Sequence, residues 1–211
     1  GFCGGPFTVL NYMIEGGTSK KHEKIKDFVK NKKVKALDLI DILTEISIEY
    51  LKRQIRQGAD RVQIFDSWAG IMKGKDYEDF IIKPNKKINQ EVKKFSPNTQ
   101  ITHFPRSSKN RLIDFLTEVN CDVISLDQDC PDEVIKFTKD KGITVQGNLS
   151  PLTLVKGGKK LETEIKECLE KFKHHKHIFN LSHGILKNTP LDNVYKTIEI
   201  VRNYEFTKVS S

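Results

Sequence analysis

Short apolar runs rich in β-branched residues recur along the chain: Val62–Phe65, Ile101–Phe104, Val123–Leu126, Ile143–Val145 and Ile178–Leu181. Their length and composition predict strands. Stretches with helical spacing separate them. From Leu37 to Ile55, apolar residues fall at Ile40, Leu43, Ile46, Tyr50 and Ile55; from Leu161 to Phe172 they fall at Leu161, Ile165, Leu169 and Phe172. This three-to-four spacing predicts one core-facing stripe on each helix. A last helix is announced by Thr189, Pro190 at its first position and Asp192 in its first turn, with Leu191, Val194, Ile198 and Val201 as core face. The tail after Tyr204 is expected to fray.

Strand alternating with helix predicts βαβ units and a parallel sheet. The strands are almost continuously apolar, as when helices cover both faces. No Pro- or Ser-rich linker breaks the pattern, so a single α/β domain over residues 1–211 is expected. Five strands are visible, with a sixth ending at Gly1-Phe2. A flavodoxin-like open sheet needs five, whereas a (β/α)8 barrel needs eight strands and typically about 250 residues. Periodicity leaves both open.

Several strands run into polar residues: Phe65 into Asp66-Ser67, Leu126 into Asp127-Gln128, Val145 into Gln146-Gly147-Asn148, and Leu181 into Ser182-His183-Gly184. Parallel α/β folds bind ligands at the carboxyl ends of their strands. Asp66, Ser67, Asp127, Gln146, Asn148 and His183 are therefore candidates for one rim. The plainer alternative is that loops simply begin there.

Composition narrows the field. Hydrophobic residues make up 37% and charged residues 30%, which excludes disordered and collagen-like chains. No apolar run approaches the roughly 18 residues of a membrane span, and GFCGGPFTVL carries no basic segment ahead of an apolar one, so neither membrane nor secretory leader is expected. The net charge is +8, yet only six of the 36 basic residues are Arg. Arg supplies the planar fork that nucleic-acid sites favour, so no nucleic-acid partner is expected. Cys3, Cys121, Cys130 and Cys168 show no CxxC or metal spacing and are read as reduced thiols of a cytoplasmic protein.

GFCGGPFT is Gly-rich but fits no phosphate-binding signature, and reads as a tight turn at a strand end. His174-His175-Lys176-His177 lacks a carboxylate or Cys at ligand spacing, and reads as a solvated loop before a strand. His183 stands before Gly184, where a backbone can approach a ligand closely, although a lone His there is more often structural. Tyr12 on an amphipathic helix is more often core. Ser67 sits in no GxSxG motif, so it is not read as a nucleophile.

Taken together, GFCGGPFTVLNYMIEGG, VQIFDSWAG, and GNLSP followed by HIFNLSHGILKNTPLDNV resemble the uroporphyrinogen decarboxylase family over essentially the whole chain. The resemblance implies a (β/α)8 TIM barrel, here incomplete: the chain starts at the end of the third strand and runs through the eighth βα unit. The N-terminal βα units, with the family's RQAGR-type Arg loop and catalytic Asp, have no counterpart in these residues. It also implies a carboxy-lyase without cofactor or metal. Four acetate side chains of the tetrapyrrole uroporphyrinogen III become methyl groups, giving coproporphyrinogen III in porphyrin and haem biosynthesis. Tyr12, Ser67 and His183 match family positions that bind substrate carboxylates. The chain alone is expected to be inactive, and the full-length enzyme a homodimer. Ser150, Ser182, Ser107 and Gln128 depart from the family's usual residues.

Two other readings stand beside this one. A zinc-dependent corrinoid or thiol methyltransferase of the same barrel superfamily needs a thiolate ligand, and such relatives carry Cys two residues beyond the His, where this chain has Ile185. A non-catalytic remnant lacking the upstream carboxylate is the other.

Overall fold

A computed structural model describes residues 1–206. The chain divides into two compact units, one from Gly1 to Val123 and one from Ile124 onward. The expected fraying after Tyr204 falls, from Thr207 on, outside the described residues.

The first unit runs β1 (Phe2–Gly4), α1 (Pro6–Glu15), α2 (Glu23–Asn31), α3 (Lys33–Arg56), β2 (Arg61–Asp66) and α4 (Gly74–Tyr77). A π-helical turn, Glu78–Ile82, leads into α5 (Lys83–Phe95), followed by β3 (Gln100–Pro105) and α6 (Arg111–Val119). β1 pairs in parallel with β2, and β2 with β3, so that Cys3 lies beside Ile64 and Ile64 beside His103. Ile48 and Leu51 of α3, Ile88 and Val92 of α5, and Val62, Ile64 and Ile101 of the strands form the core beneath. Full burial of each such side chain contributes about 1.5–3 kcal/mol. β1 runs on to Gly4 rather than ending at Phe2, and its pairing with β2 extends through Gly4 and Phe65.

The second unit contains β4 (Val123–Ser125, beginning at the boundary), α7 (Asp132–Asp140), β5 (Thr144–Leu149) and α8 (Pro151–Lys156). It continues with α9 (Gly158–Lys171), β6 (His177–Leu181) and α10 (Leu191–Arg202). β5 and β6 are parallel, with Gly147 beside Phe179. Leu161, Ile165 and Leu169 of α9 are buried as the periodicity predicts, and Val194, Ile200 and Val201 of α10 pack against them.

Three expectations fail in detail. On α3 the buried face is Ile40, Thr44, Ser47, Ile48 and Leu51, while Ile46 and Tyr50 are exposed. Thr44 and Ser47 donate their hydroxyls to the Ile40 and Leu43 carbonyls one turn back, so two polar residues are buried without an unmet donor and the apolar pattern misphases the helix. On α10, Leu191 and Ile198 are exposed, the N-cap is Pro190, and the buried Thr189 hydroxyl caps nothing. β5 continues through Gln146, Gly147 and Asn148 instead of stopping at Val145. Those amides are buried within the ladder because each finds an acceptor: Gln146 Nε2 donates to Ser125 Oγ at 2.7 Å, and Asn148 Nδ2 to the Asp127 carbonyl at 2.8 Å.

Candidate functional site

The carboxyl end of β2 is where the first unit gathers its chemistry. Asp66, the last strand residue, is 1% exposed. Its Oδ1 accepts a 2.7 Å hydrogen bond from the Thr8 hydroxyl and its Oδ2 a 3.2 Å bond from Asn85 Nδ2. Thr8 is the third residue of α1, so a strand carboxylate sits at the helix N-terminus, where the exposed amides and the helix dipole favour negative charge. The N-cap of α1 is Gly5, which offers no side chain for this purpose. A Cβ on Gly5 would stand 2.5 Å from Asp66 Cγ, which accounts for the second Gly of the GG in GFCGGPFT: it leaves room for the carboxylate. Burial pushes the Asp66 carboxyl up to about 6, against the downward pull of the Thr8 and Asn85 hydrogen bonds. Asp66 is thus an internal anchor and not the rim residue its position suggested. Behind it, Asn85 Oδ1 faces His103 Nδ1 at 3.1 Å, and burial drives that ring down to about 3, leaving it neutral.

Beyond Asp66 the chain turns through Ser67 and Trp68. The Trp68 backbone N–H donates to Thr8 Oγ1 at 3.2 Å. The Trp68 ring packs against His22 at a tilt of 54°, 4.3 Å between centroids, and meets Tyr12 edge to face at 6.4 Å. His22 is buried, its Nδ1 lies 2.9 Å from Asn11 Oδ1, and burial lowers its pKa. Tyr12 is one helical turn beyond Thr8 on α1, and it is 39% exposed rather than core. Ser67 is half-buried. Among the described residues neither the Tyr12 nor the Ser67 hydroxyl has a protein partner. Tyr12 and Ser67 thus both adjoin Trp68, Tyr12 through its ring and Ser67 as its neighbour in the chain.

His183, in the second unit, follows β6 two residues beyond Leu181. Ser182 N–H extends the ladder by one bond, to the Leu149 carbonyl at 2.8 Å. The His183 ring is half-buried, with Nδ1 3.1 Å from the Gly184 carbonyl. If that nitrogen carries the proton, Nε2 is left as an acceptor. In the histidine run, His175 Nε2 lies 3.2 Å from the Ile135 carbonyl and His177 Nε2 2.6 Å from the Gly147 carbonyl, while both rings pack on Phe172. These are structural contacts, more buried than a solvated loop.

Comparison with known proteins gives this geometry a family. The sequence model for uroporphyrinogen decarboxylase (URO-D) matches residues 1–204. The chain belongs to the uroporphyrinogen decarboxylase family. A uroporphyrinogen decarboxylase of Rickettsia bellii is 38% identical over 206 residues, covering 98% of this chain and 60% of its own length. One from Orientia tsutsugamushi is 40% identical over 207 residues, covering 97% and 60%. The chain thus spans about 60% of the length of these curated relatives. A solved methyltransferase from Methanosarcina mazei superposes with a TM-score of 0.73 at 23% identity, covering 94% of this chain and 57% of that one, a likeness of fold. The fold class is that of an incomplete (β/α)8 barrel.

Thr8, Trp68, Asn85 and His22 were not legible as site residues. Thr8 and Asp66 are 58 positions apart, and no local motif joins them.

Proposed function

We propose that the protein decarboxylates the acetate side chains of uroporphyrinogen III to methyl groups, giving coproporphyrinogen III. The observation that carries this reading is the family match across residues 1–204. The two unpartnered hydroxyls, Ser67 after β2 and Tyr12 on α1, support it. Each turn of the reaction breaks the bond between the acetate methylene and its carboxyl carbon. The released electron pair needs a sink, and a pyrrole protonated beside the acetate is one. Protonation of the resulting exocyclic methylene and loss of the added ring proton leave a methyl group. In this reading Tyr12 and Ser67 donate hydrogen bonds to substrate carboxylates, and His183 binds another. The carboxylate that balances the pyrrole cation, and the Arg that clamps carboxylates, are family features outside these 211 residues. A cytoplasmic homodimer that handles no nucleic acid belongs to the same reading. Among the described residues no helix is long and apolar enough to cross a membrane.

The test is substitution in the product of the complete reading frame containing these residues. A hydrogen bond to a charged group contributes about 1.5–3 kcal/mol, so Tyr12→Phe should lower kcat/KM roughly tenfold to a hundredfold with the fold intact. Ser67→Ala should act in the same direction. Unchanged kcat/KM with a shifted melting temperature would return Tyr12 to a structural role.

A further inference from the structure

One hydroxyl holds both flanks of Ser67. Thr8 Oγ1 donates to Asp66 Oδ1 at 2.7 Å and accepts from the Trp68 backbone N–H at 3.2 Å. The residue between the two anchored positions is Ser67. Thr8 is also four residues before Tyr12 on α1, so the two share a helix face, and the Tyr12 ring closes the circuit by meeting the Trp68 indole edge-on. The anchor is itself fixed: Asn85 holds the second Asp66 oxygen with Nδ2, and the same nitrogen is held by the Ile81 carbonyl at 2.8 Å. Thr8 and Asp66 are 5% and 1% exposed, so neither reaches a ligand.

We propose that Thr8 and Asp66 are positioning residues: a buried clamp that sets the spacing between the Tyr12 and Ser67 hydroxyls by tying the N-terminus of α1 to the turn after β2. The clamp itself rests on geometry. Its consequence for substrate rests on the reading of Tyr12 and Ser67 given above. A clamp of this kind acts on how the two hydroxyls engage the carboxylates of one substrate together, so its loss erases the advantage of having both. A merely stabilising contact has no such selectivity, and its effect multiplies with that of any other change.

Two readouts separate the possibilities. Trp68 is the single Trp of the 211 residues, so its fluorescence reports the clamp without any substrate. Thr8→Val keeps the shape, removes the hydroxyl and frees the Trp68 N–H. In the 211-residue chain it should red-shift the emission and increase quenching by acrylamide, with the far-ultraviolet dichroism unchanged. Thr44→Val, which removes a buried hydroxyl bonded only within α3, should leave the emission as it was. An unaltered Trp68 spectrum in Thr8→Val overturns the clamp. In the complete reading frame, Thr8→Val should lower kcat/KM for uroporphyrinogen by roughly three- to thirtyfold. Combined with Tyr12→Phe it should cost little more than the worse single change, whereas losses that multiply would make Thr8 a stabilising contact only. Asp66→Asn, which weakens the anchor from the other side, should couple to Tyr12→Phe in the same way. If the wild-type protein turns over no uroporphyrinogen, the decarboxylase reading fails, and the Trp68 spectrum still decides the clamp.

Discussion

Asp66 and His103 are two buried ionisable side chains, linked through Asn85, whose stability effects run in opposite senses. The Asp66 carboxyl is raised from 3.8 to about 6 by burial. Between those values the folded protein binds the proton more readily than the unfolded chain. Its stabilisation is therefore complete below the unfolded value and is lost as pH rises through 6. The change amounts to about 3 kcal/mol. His103 is lowered from 6.5 to about 3, so its stabilisation is present above 6.5 and is lost as pH falls towards 3. Cys3, near Asp66, is pushed up to about 12 and Tyr77 is also raised, so both stay neutral across this window. From pH 4 to 6 the two slopes offset one another. Asp66→Asn removes one of them and should make stability climb more steeply with pH than in the wild type. Urea denaturation at intervals from pH 4 to 7 reads this directly; parallel curves would mean that Asp66 is ionised throughout. None of this was visible in the sequence, where Asp66 was one polar residue after an apolar strand. Its burial depends on Thr8 and Asn85, which come from elements distant in the chain.

At the scale of elements, the strand centres were legible because burial on both faces leaves an apolar run, and α1, α3, α9 and α10 were legible from helical spacing or a start signal. The errors arose where polar groups are buried with partners. Gln146 and Asn148 read as loop and are strand, because their amides bond to Ser125 and the Asp127 carbonyl. Thr44 and Ser47 stand outside the apolar stripe read for α3 and are core, because each is satisfied within α3. At the β1–α1 junction GG read as a tight turn at a strand end; Gly4 closes β1 and Gly5 is the N-cap of α1. The reason for Gly at the second position is room rather than backbone angle, since Gly5 has an ordinary φ of -61° and its hydrogen faces Asp66. Gly5→Ala should thus cost stability through Asp66, which is pinned by two side chains and cannot step aside. Overpacking of this kind costs about 1–3 kcal/mol. Thermal denaturation of Gly5→Ala beside Gly4→Ala checks it: the Gly4 Cβ would meet only the end of the Val9 side chain, at 3.1 Å, so that variant should be the milder one. Equal losses would contradict the assignment.

At the scale of the whole molecule, the family was legible before the fold. Periodicity left an open sheet and a barrel equally open; the motifs around Tyr12, Ser67 and His183 separated them. The match over residues 1–204 and the superposition with a TM-score of 0.73 agree with that choice. Apolar stripes nevertheless remain exposed on α3, at Ile42, Ile46 and Tyr50, and on α10, at Leu191, Tyr195 and Ile198. These are the residues the periodicity partly assigned to the core. The pattern detects a surface suited to burial and does not say whether the partner lies within these 211 residues.

The central claim is the reaction, and its most direct measurement is the CO2 released per tetrapyrrole. The product of the complete reading frame containing these residues is incubated with uroporphyrinogen III under anaerobic, reducing conditions, with and without a strong chelator. The account predicts four CO2 for each macrocycle, accumulation of coproporphyrinogen III, and the same rate in both samples. Intact uroporphyrinogen, or a rate that the chelator abolishes and Zn2+ restores, would contradict it.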